Sequence, residues 1–348
     1  MNTMDKDHRL SYLKKYGSNP VSYLTLSDSL STLSGKWDGY IAYHQFLRAA
    51  IILGDPIVSP ESYHTVINDI KNTFSSKKIN ICFFLCKNNI IKTLQQQGFK
   101  GFCFGQDAII NLQKFNLSGK AKWSIRSSIN YAKRNNMTVE EYKYTSNRSL
   151  SIENDILAIS YEWCRMKKMP ELSFAFGHVD FDNFQDVRYF ICRHKGKIVG
   201  FLSYYPIFGK NSYYLDLTRR GIDSPRGTID FLTVESLETL KKEKVEKIYI
   251  GGSPLYFQSL DPMINSRFTS NLFSLSKLLF EFFYPTKSEF FFKKKYATEW
   301  EPYYIFYYPR FSIRMPLSII NAVYKGGIAA LVIHRSKHIL KNLSTTIK

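Results

Sequence analysis

One stretch constrains the fold more than any other: Tyr213–Leu255, reading YYLDLTRRGIDSPRGTIDFLTVESLETLKKEKVEKIYIGGSPL. An apolar strand runs into Asp216, Arg219 and Arg220, a Gly/Pro loop follows, and a helix opens at Thr228. Ile229, Leu232, Val234, Leu237 and Leu240 keep helical spacing, with Asp230 and Glu235 early and Lys241–Lys242 late, as the helix dipole favours. IYI before Gly251–Gly252 then reads as a short buried strand. A strand–loop–helix–strand unit of this kind implies a mixed α/β fold with its polar chemistry at the strand ends.

The rest of the chain supports that class. YIAYHQFLRAAIILGDPI reads as two short strands, and a helix is expected from Ser62 to Phe74. Strand INICFFLC, helix NNIIKTLQQQG and strand FKGFCFG follow, so the elements alternate. A second succession begins near Ser151 with helix SIENDILAISYEWCRMKK. It continues through a phenylalanine-rich loop carrying His178 to a hairpin turning at Lys195-Gly196-Lys197. His44 lies in a strand, where a histidine is more often structural than a base. His178, beside Gly177 and Asp180, is a general-base alternative, but it has no partner at a defined spacing and is left out of the catalytic candidates. The expected division is a first domain over 1–114, a second over 115–309 and a basic tail over 310–348.

Charge narrows the partners. With 48 Lys+Arg against 29 Asp+Glu, the chain carries +19, which favours an anionic partner. Lys114 to Arg134 holds six basic residues and no acid, and Trp123, Ile125, Ile129 and Ala132 are the expected apolar stripe of a helix beginning near Ser118. Lys122, Arg126 and Lys133 then face water, suited to RNA or lipid phosphate. The last 39 residues, from Arg310, have seven Lys/Arg and no acid around the 17-residue apolar run LSIINAVYKGGIAALVI. That run is a poor membrane span; a helix at the bilayer interface or one packed on the chain's own core are the two readings. The five cysteines fall mostly in apolar runs without His or Cys partners, so buried reduced thiols are expected and no metal site. The polar first residues lack a signal-peptide core, so a cytoplasmic chain is expected; the basic tail adds a peripheral position at the inner face of the membrane.

Several segments in collinear order resemble the lysylphosphatidylglycerol synthase family. DLTRR, SPRGTIDF and GGSPL are similar to its DLMR, PNGxMDF and GMAPL signatures. KYGSNPVSYLTL, LGDPI, FNLSGKAKWSIRSSINYAKR and FFKKKYATEWEPYY match further family segments over nearly the whole chain. The resemblance implies two tandem GNAT-like acyltransferase domains, here without the many-helix membrane half of familiar members. RRGIDSPRGTIDF lacks the paired small residues of an acetyl-CoA pyrophosphate loop, which makes CoA the weaker donor; the resemblance implies another, an aminoacyl-tRNA, and no cofactor.

The implied reaction moves an amino acid, lysine or alanine, to a hydroxyl of phosphatidylglycerol. Asp216 is expected to orient or deprotonate that hydroxyl, and Arg219 to hold phosphate or the developing oxyanion. A structural Asp216–Arg219 ion pair is the alternative. Asp230 and Glu301 are candidates for the donor's ammonium; Lys293, Lys295, Arg126 and Lys122 for phosphate. Tyr303 stands where the family usually has arginine. Partners are then an aminoacyl-tRNA, an anionic phospholipid and the bilayer surface, with no role for DNA. Two other readings stay open: a transferase acting on a small molecule or peptide, and a noncatalytic RNA- or membrane-binding module.

Overall fold

A computed structural model describes residues 4–167, 171–254 and 286–333, and residue 336. The segment FQSLDPMINSRF, the expected helix LFSLSKLLFEFFY and the tail beyond 333, residue 336 apart, lie outside the described residues.

In chain order the elements are α1 (Lys6–Tyr16), β1 (Ser31–Leu33), β2 (Gly39–Phe46), β3 (Ala49–Leu53), β4 (Ile57–Val58), α2 (Tyr63–Ser76), β5 (Asn80–Cys86), α3 (Asn88–Gln96) and β6 (Lys100–Asn111). There follow α4 (Trp123–Arg134), β7 (Thr138–Tyr142), α5 (Leu150–Lys167), β8 (Arg188–His194), β9 (Lys197–Ile207) and β10 (Ser212–Arg220). The last are α6 (Thr228–Lys242), β11 (Lys247–Pro254), α7 (Thr286–Lys294), β12 (Glu299–Tyr308) and α8 (Arg314–Val323). The mixed α/β class expected from the alternating patterns is the class observed.

The chain forms two compact units, each discontinuous. Unit 1 takes residues 1–111, 207–214 and 247–319; unit 2 takes 112–206, 215–246 and 320–348. The segments return because strand pairing demands it. The long strand β6 has antiparallel partners on both sides, β12 and β11, from far later in the chain. β12, the last described strand along the chain and the one that carries the alternating aromatics YYIFYYP, is thereby paired on both sides, with β5 and β6.

Within unit 1, β3 pairs parallel with β5, and β11 pairs parallel with the Ser212–Tyr214 end of β10. The face covered by α2 and α3 is apolar. Tyr63, Val66, Ile67, Ile70 and Phe74 recur at helical spacing on α2 and pack with Ile52, Ile81, Phe83, Leu94 and Phe306. Each such buried side chain contributes about 1.5–3 kcal/mol over leaving it in water. Over the chain, four of the five cysteines are buried and all five are free thiols; Cys86 and Cys103 belong to this core.

Unit 2 is built on the hairpin β8–β9, with β7 antiparallel to β8. Its turn is the expected one: Lys195 and Gly196 have φ of 50° and 78°, the left-handed pair that matches strand twist. Leu217 N–H on β10 donates to Ser203 Oγ on β9 at 3.2 Å. Arg188 on β8 ties Glu141 of β7 (2.6 Å) to Glu243 past the end of α6. α4 starts at Trp123 rather than Ser118, after a single tight turn at Lys120–Lys122. Ile125, Ile129 and Ala132 are buried as expected, but Trp123 is 66% exposed, because as the first helical residue it lies beyond the stripe that meets the core.

The start of the tail is packed. Met315, Ser318, Ile319 and Ala322 of α8 are buried, and Ser318 Oγ donates to Phe46 O at 2.7 Å within unit 1. Past the helix, Gly326 and Gly327 take positive φ, and Asn321 Oδ1 accepts the N–H of Ile328 at 3.1 Å. The apolar run is thus broken at its glycines. Its later residues Val332 and Ile333 are more than half exposed.

Candidate functional site

In unit 2, β10 carries Asp216 in a strand whose neighbours are apolar. Asp216 Oδ2 accepts the backbone N–H of Gly177 at 3.0 Å, while Oδ1 is buried and has no hydrogen-bond partner among the described residues. Burial raises the carboxyl to about 6; the Gly177 N–H and the charge of Arg219 both oppose that rise. A carboxyl near 6 with one covered, undonated oxygen is suited to taking a proton at neutral pH.

Arg219, three residues on, is 4% exposed. Its Nη1 donates to Ser160 Oγ, and its guanidinium lies 5.1 Å from the ring centroid of Trp163, so α5 holds it by both a hydrogen bond and a cation–π contact. The pair acts through space: Arg219 favours the ionised form of Asp216, but the guanidinium's hydrogen bond goes to α5.

The other unit 2 candidates are tied down. Asp230, in the first turn of α6, accepts from Ser128 Oγ of α4 at 2.8 Å. Arg126 Nη1 reaches Gly119 O at 2.8 Å and Leu117 O, closing the loop before α4. Lys122 lies 5.3 Å from the Phe115 ring centroid, and burial lowers its ammonium below the ordinary range. Lys133 is exposed, 3.7 Å from Glu235. The water-facing cations of this segment are accordingly fewer than the sequence implied.

The remaining candidates are in unit 1. Glu301 on β12 accepts from Tyr249 Oη at 3.1 Å and lies 3.8 Å from Lys87 Nζ, with 30% of its side chain exposed. Lys293 on α7 is buried and donates to Gly252 O at 2.6 Å, so burial lowers its ammonium. Lys295 Nζ stands 5.8 Å from the Phe292 ring centroid. The structure thus brings Glu301 and Lys293 into the same unit, and Asp216, Arg219, Asp230, Arg126 and Lys122 into the other.

Sequence reasoning missed the most buried ion pair among the described residues of unit 1. Lys87 Nζ donates to Asp107 Oδ2 at 2.7 Å, with both side chains 10% exposed or less. Lys87 N–H also donates to Asp55 Oδ1 at 2.9 Å, and Asn19 Nδ2 donates to Asp55 Oδ2 at 3.2 Å. Lys210 Nζ reaches Tyr249 Oη at 3.3 Å. One signal was available: Asp107 is a lone charge inside the apolar strand FCFGQDAII, a place that demands a partner. Also missed was the loop that meets Asp216, where Tyr205 Oη donates to His178 O at 3.3 Å.

Among the described residues, no helix is long and apolar enough to cross a membrane, and no group of three or more His, Cys, Asp or Glu side chains is arranged to hold a metal ion.

Comparison with known proteins places these features in a family. The model of the phosphatidylglycerol lysyltransferase C-terminal family matches residues 10–307. A phosphatidylglycerol lysyltransferase of Bacillus subtilis is 24% identical over 324 residues, covering 91% of this chain and 37% of that protein. One of Staphylococcus epidermidis is 24% identical, covering 86% of this chain and 35% of its own length. The chain therefore spans little more than a third of the relatives it matches. The structure of L-PGS from Bacillus licheniformis superposes with a TM-score of 0.79 at 22% identity, over 91% of this chain and 95% of that one. The C-terminal domain of a putative lysylphosphatidylglycerol synthetase from Agrobacterium fabrum gives 0.78 at 21% identity, over 93% and 98%. The fold is shared with both.

Proposed function

We propose, on the premise that this chain belongs to the phosphatidylglycerol lysyltransferase C-terminal family, that it moves an amino acid from an aminoacyl-tRNA to a hydroxyl of phosphatidylglycerol. The observation that carries the reading is Asp216: a carboxyl lifted to about 6 by burial, with one covered oxygen that has no donor among the described residues.

The reaction is an ester exchange and needs no further activation of the donor. The Asp216 carboxylate takes the proton of the attacking lipid hydroxyl, whose oxygen bonds to the ester carbonyl carbon. The tetrahedral intermediate collapses by breaking the bond to the ribose oxygen, which leaves with a proton. Gly177 N–H fixes the other carboxylate oxygen, so the base is aimed before substrate arrives. Arg219 acts here as a positioning residue. Held by Ser160 and Trp163, it keeps the carboxyl from rising as far as burial alone would take it.

Asp230 in unit 2 and Lys293 in unit 1 hold the fold through Ser128 and Gly252, so neither is assigned to substrate. Within unit 2, Lys122 and the exposed cations of α4 are assigned to phosphate. The charge of +19 supports a tRNA donor and an anionic lipid surface.

The test is to incubate the protein with a mixed pool of charged tRNAs and phosphatidylglycerol vesicles, then identify aminoacylated lipid by mass spectrometry. Asp216→Asn is expected to lower product formation by about 10²-fold or more. No aminoacyl lipid from the wild type, or undiminished product from the variant, overturns the assignment.

A further inference from the structure

We propose that His178, oriented by Asp180, is the acid–base partner of Asp216 in this transfer and delivers a proton to the departing ribose oxygen. The inference rests on the reading of the reaction given above and on geometry within unit 2.

A loop histidine is ordinarily loose, and this one is held through its backbone, through one edge of its ring and at Nε2. The preceding N–H, of Gly177, is fixed on Asp216 Oδ2 at 3.0 Å, and the carbonyl of His178 accepts from Tyr205 Oη at 3.3 Å. Its ring packs edge-on against Phe184, with centroids 5.7 Å apart. His178 Nε2 lies 3.5 Å from Asp180 Oδ2. Asp180 is itself pinned: Asp182 N and Asn183 N donate to Oδ1 at 3.0 and 2.8 Å, and Asn183 Nδ2 donates to Oδ2 at 2.9 Å. A fixed carboxylate behind an imidazole selects its orientation, the arrangement that nucleophile–base–orienter sites share.

The placement fits the second proton of the exchange. His178 follows directly on the residue whose N–H holds the base, and consecutive Cα atoms lie about 3.8 Å apart. The His178 side chain is 39% exposed against 16% for Asp180, so the orienter is covered while the imidazole is accessible to substrate. With Nε2 facing Asp180, Nδ1 is the atom left to meet substrate. In the step, Asp216 gains the proton of the lipid hydroxyl as the new C–O bond forms. The imidazolium gives its Nδ1 proton to the ribose oxygen as the old C–O bond breaks. Afterwards Asp216 releases its proton to solvent and His178 takes one up, so protons balance and no co-reactant is required.

The experiment compares two donors with phosphatidylglycerol vesicles as acceptor: an aminoacyl-tRNA, and a nitrophenyl ester of the same amino acid, whose leaving group departs without a proton. His178→Gln is expected to lower transfer from the tRNA by about 10²-fold. Its deficit on the nitrophenyl ester should be at least about tenfold smaller, because only the proton-requiring departure loses its acid. Asp180→Asn should show the same donor dependence in weaker form, and Asp216→Asn should impair both donors alike. Thermal midpoints of the variants separate these effects from unfolding. Equal losses of His178→Gln on both donors, or no loss with tRNA, overturn the assignment of His178 while leaving that of Asp216 intact. A wild type that transfers from neither donor removes the transfer reading, and this proposal with it.

Discussion

Gly177 and Asp216, 39 residues apart in sequence, meet so closely that no side chain fits between them: the N–H···Oδ2 distance is 3.0 Å, and a Cβ on Gly177 would lie 2.6 Å from the same oxygen. The same Cβ would lie 2.0 Å from Tyr205 Oη. Gly177→Ala must therefore displace the loop or the carboxylate. We expect a stability loss of about 1–3 kcal/mol by denaturant titration, together with at least a tenfold fall in aminoacyl transfer, since misplacing the base lowers rate steeply. Wild-type transfer in a folded Gly177→Ala would show that this contact does not aim the carboxylate.

Asp216 also sets a pH dependence of stability. Its folded carboxyl lies near 6, above the ordinary 3.8, so between those values the folded state binds more protons than the unfolded chain. Stability from this group is present below the lower value and is lost as pH rises to about 6, a difference of roughly 3 kcal/mol. Asp216→Asn cannot ionise, so the gap between variant and wild-type midpoints should shift in the variant's favour on going from pH 4 to pH 7. Parallel curves across that range would mean that the carboxyl titrates normally.

In unit 1 the expected weak point is Lys87. Removing its charge leaves Asp107 buried and unpaired, a change that typically costs about 3–5 kcal/mol. Lys87→Met should therefore unfold at markedly lower denaturant, and Lys87→Met combined with Asp107→Leu should recover much of the loss. A double-mutant cycle measures the coupling. Additive losses would mean that the two side chains stabilise the unit independently.

What the sequence disclosed and what it hid follow one physical rule. Local periodicity reports which face of an element is apolar, so α2, α3, β5 and the β8–β9 turn were legible from a few residues each. The strand ending in Asp216 and the helix opening at Thr228 were legible for the same reason. Pairing between distant segments leaves no local trace. Hence nothing in the aromatics of β12 told that its partners are β5 and β6, and Lys87 gave no sign of Asp107. Asp216 could be named from its position after an apolar strand, but its donor lies in a loop whose Gly177 reads like any other glycine. Arg219 was named as well, while its engagement by Ser160 and Trp163 depends on α5, some 60 residues earlier.

The C-terminal segment yields a prediction in two parts, because the structure divides its apolar residues. Met315, Ser318, Ile319, Ala322, Tyr324 and Leu331 are buried, whereas Val332 and Ile333 are exposed just before four further Lys/Arg residues in the sequence. Ending the chain after Pro316 removes buried side chains and should lower the thermal midpoint by at least about 5 °C. Ending it after Ile333 removes no described buried residue, so the midpoint should stay near that of the wild type. It does remove four basic residues, each contributing about 1 kcal/mol near an anionic bilayer. The shorter truncation should therefore reduce co-sedimentation with phosphatidylglycerol vesicles while leaving tRNA binding close to wild type. If vesicle binding per folded molecule survives the loss of residues 334–348, those charges do not tether the protein, and lipid attraction must come from the basic surface of the two units.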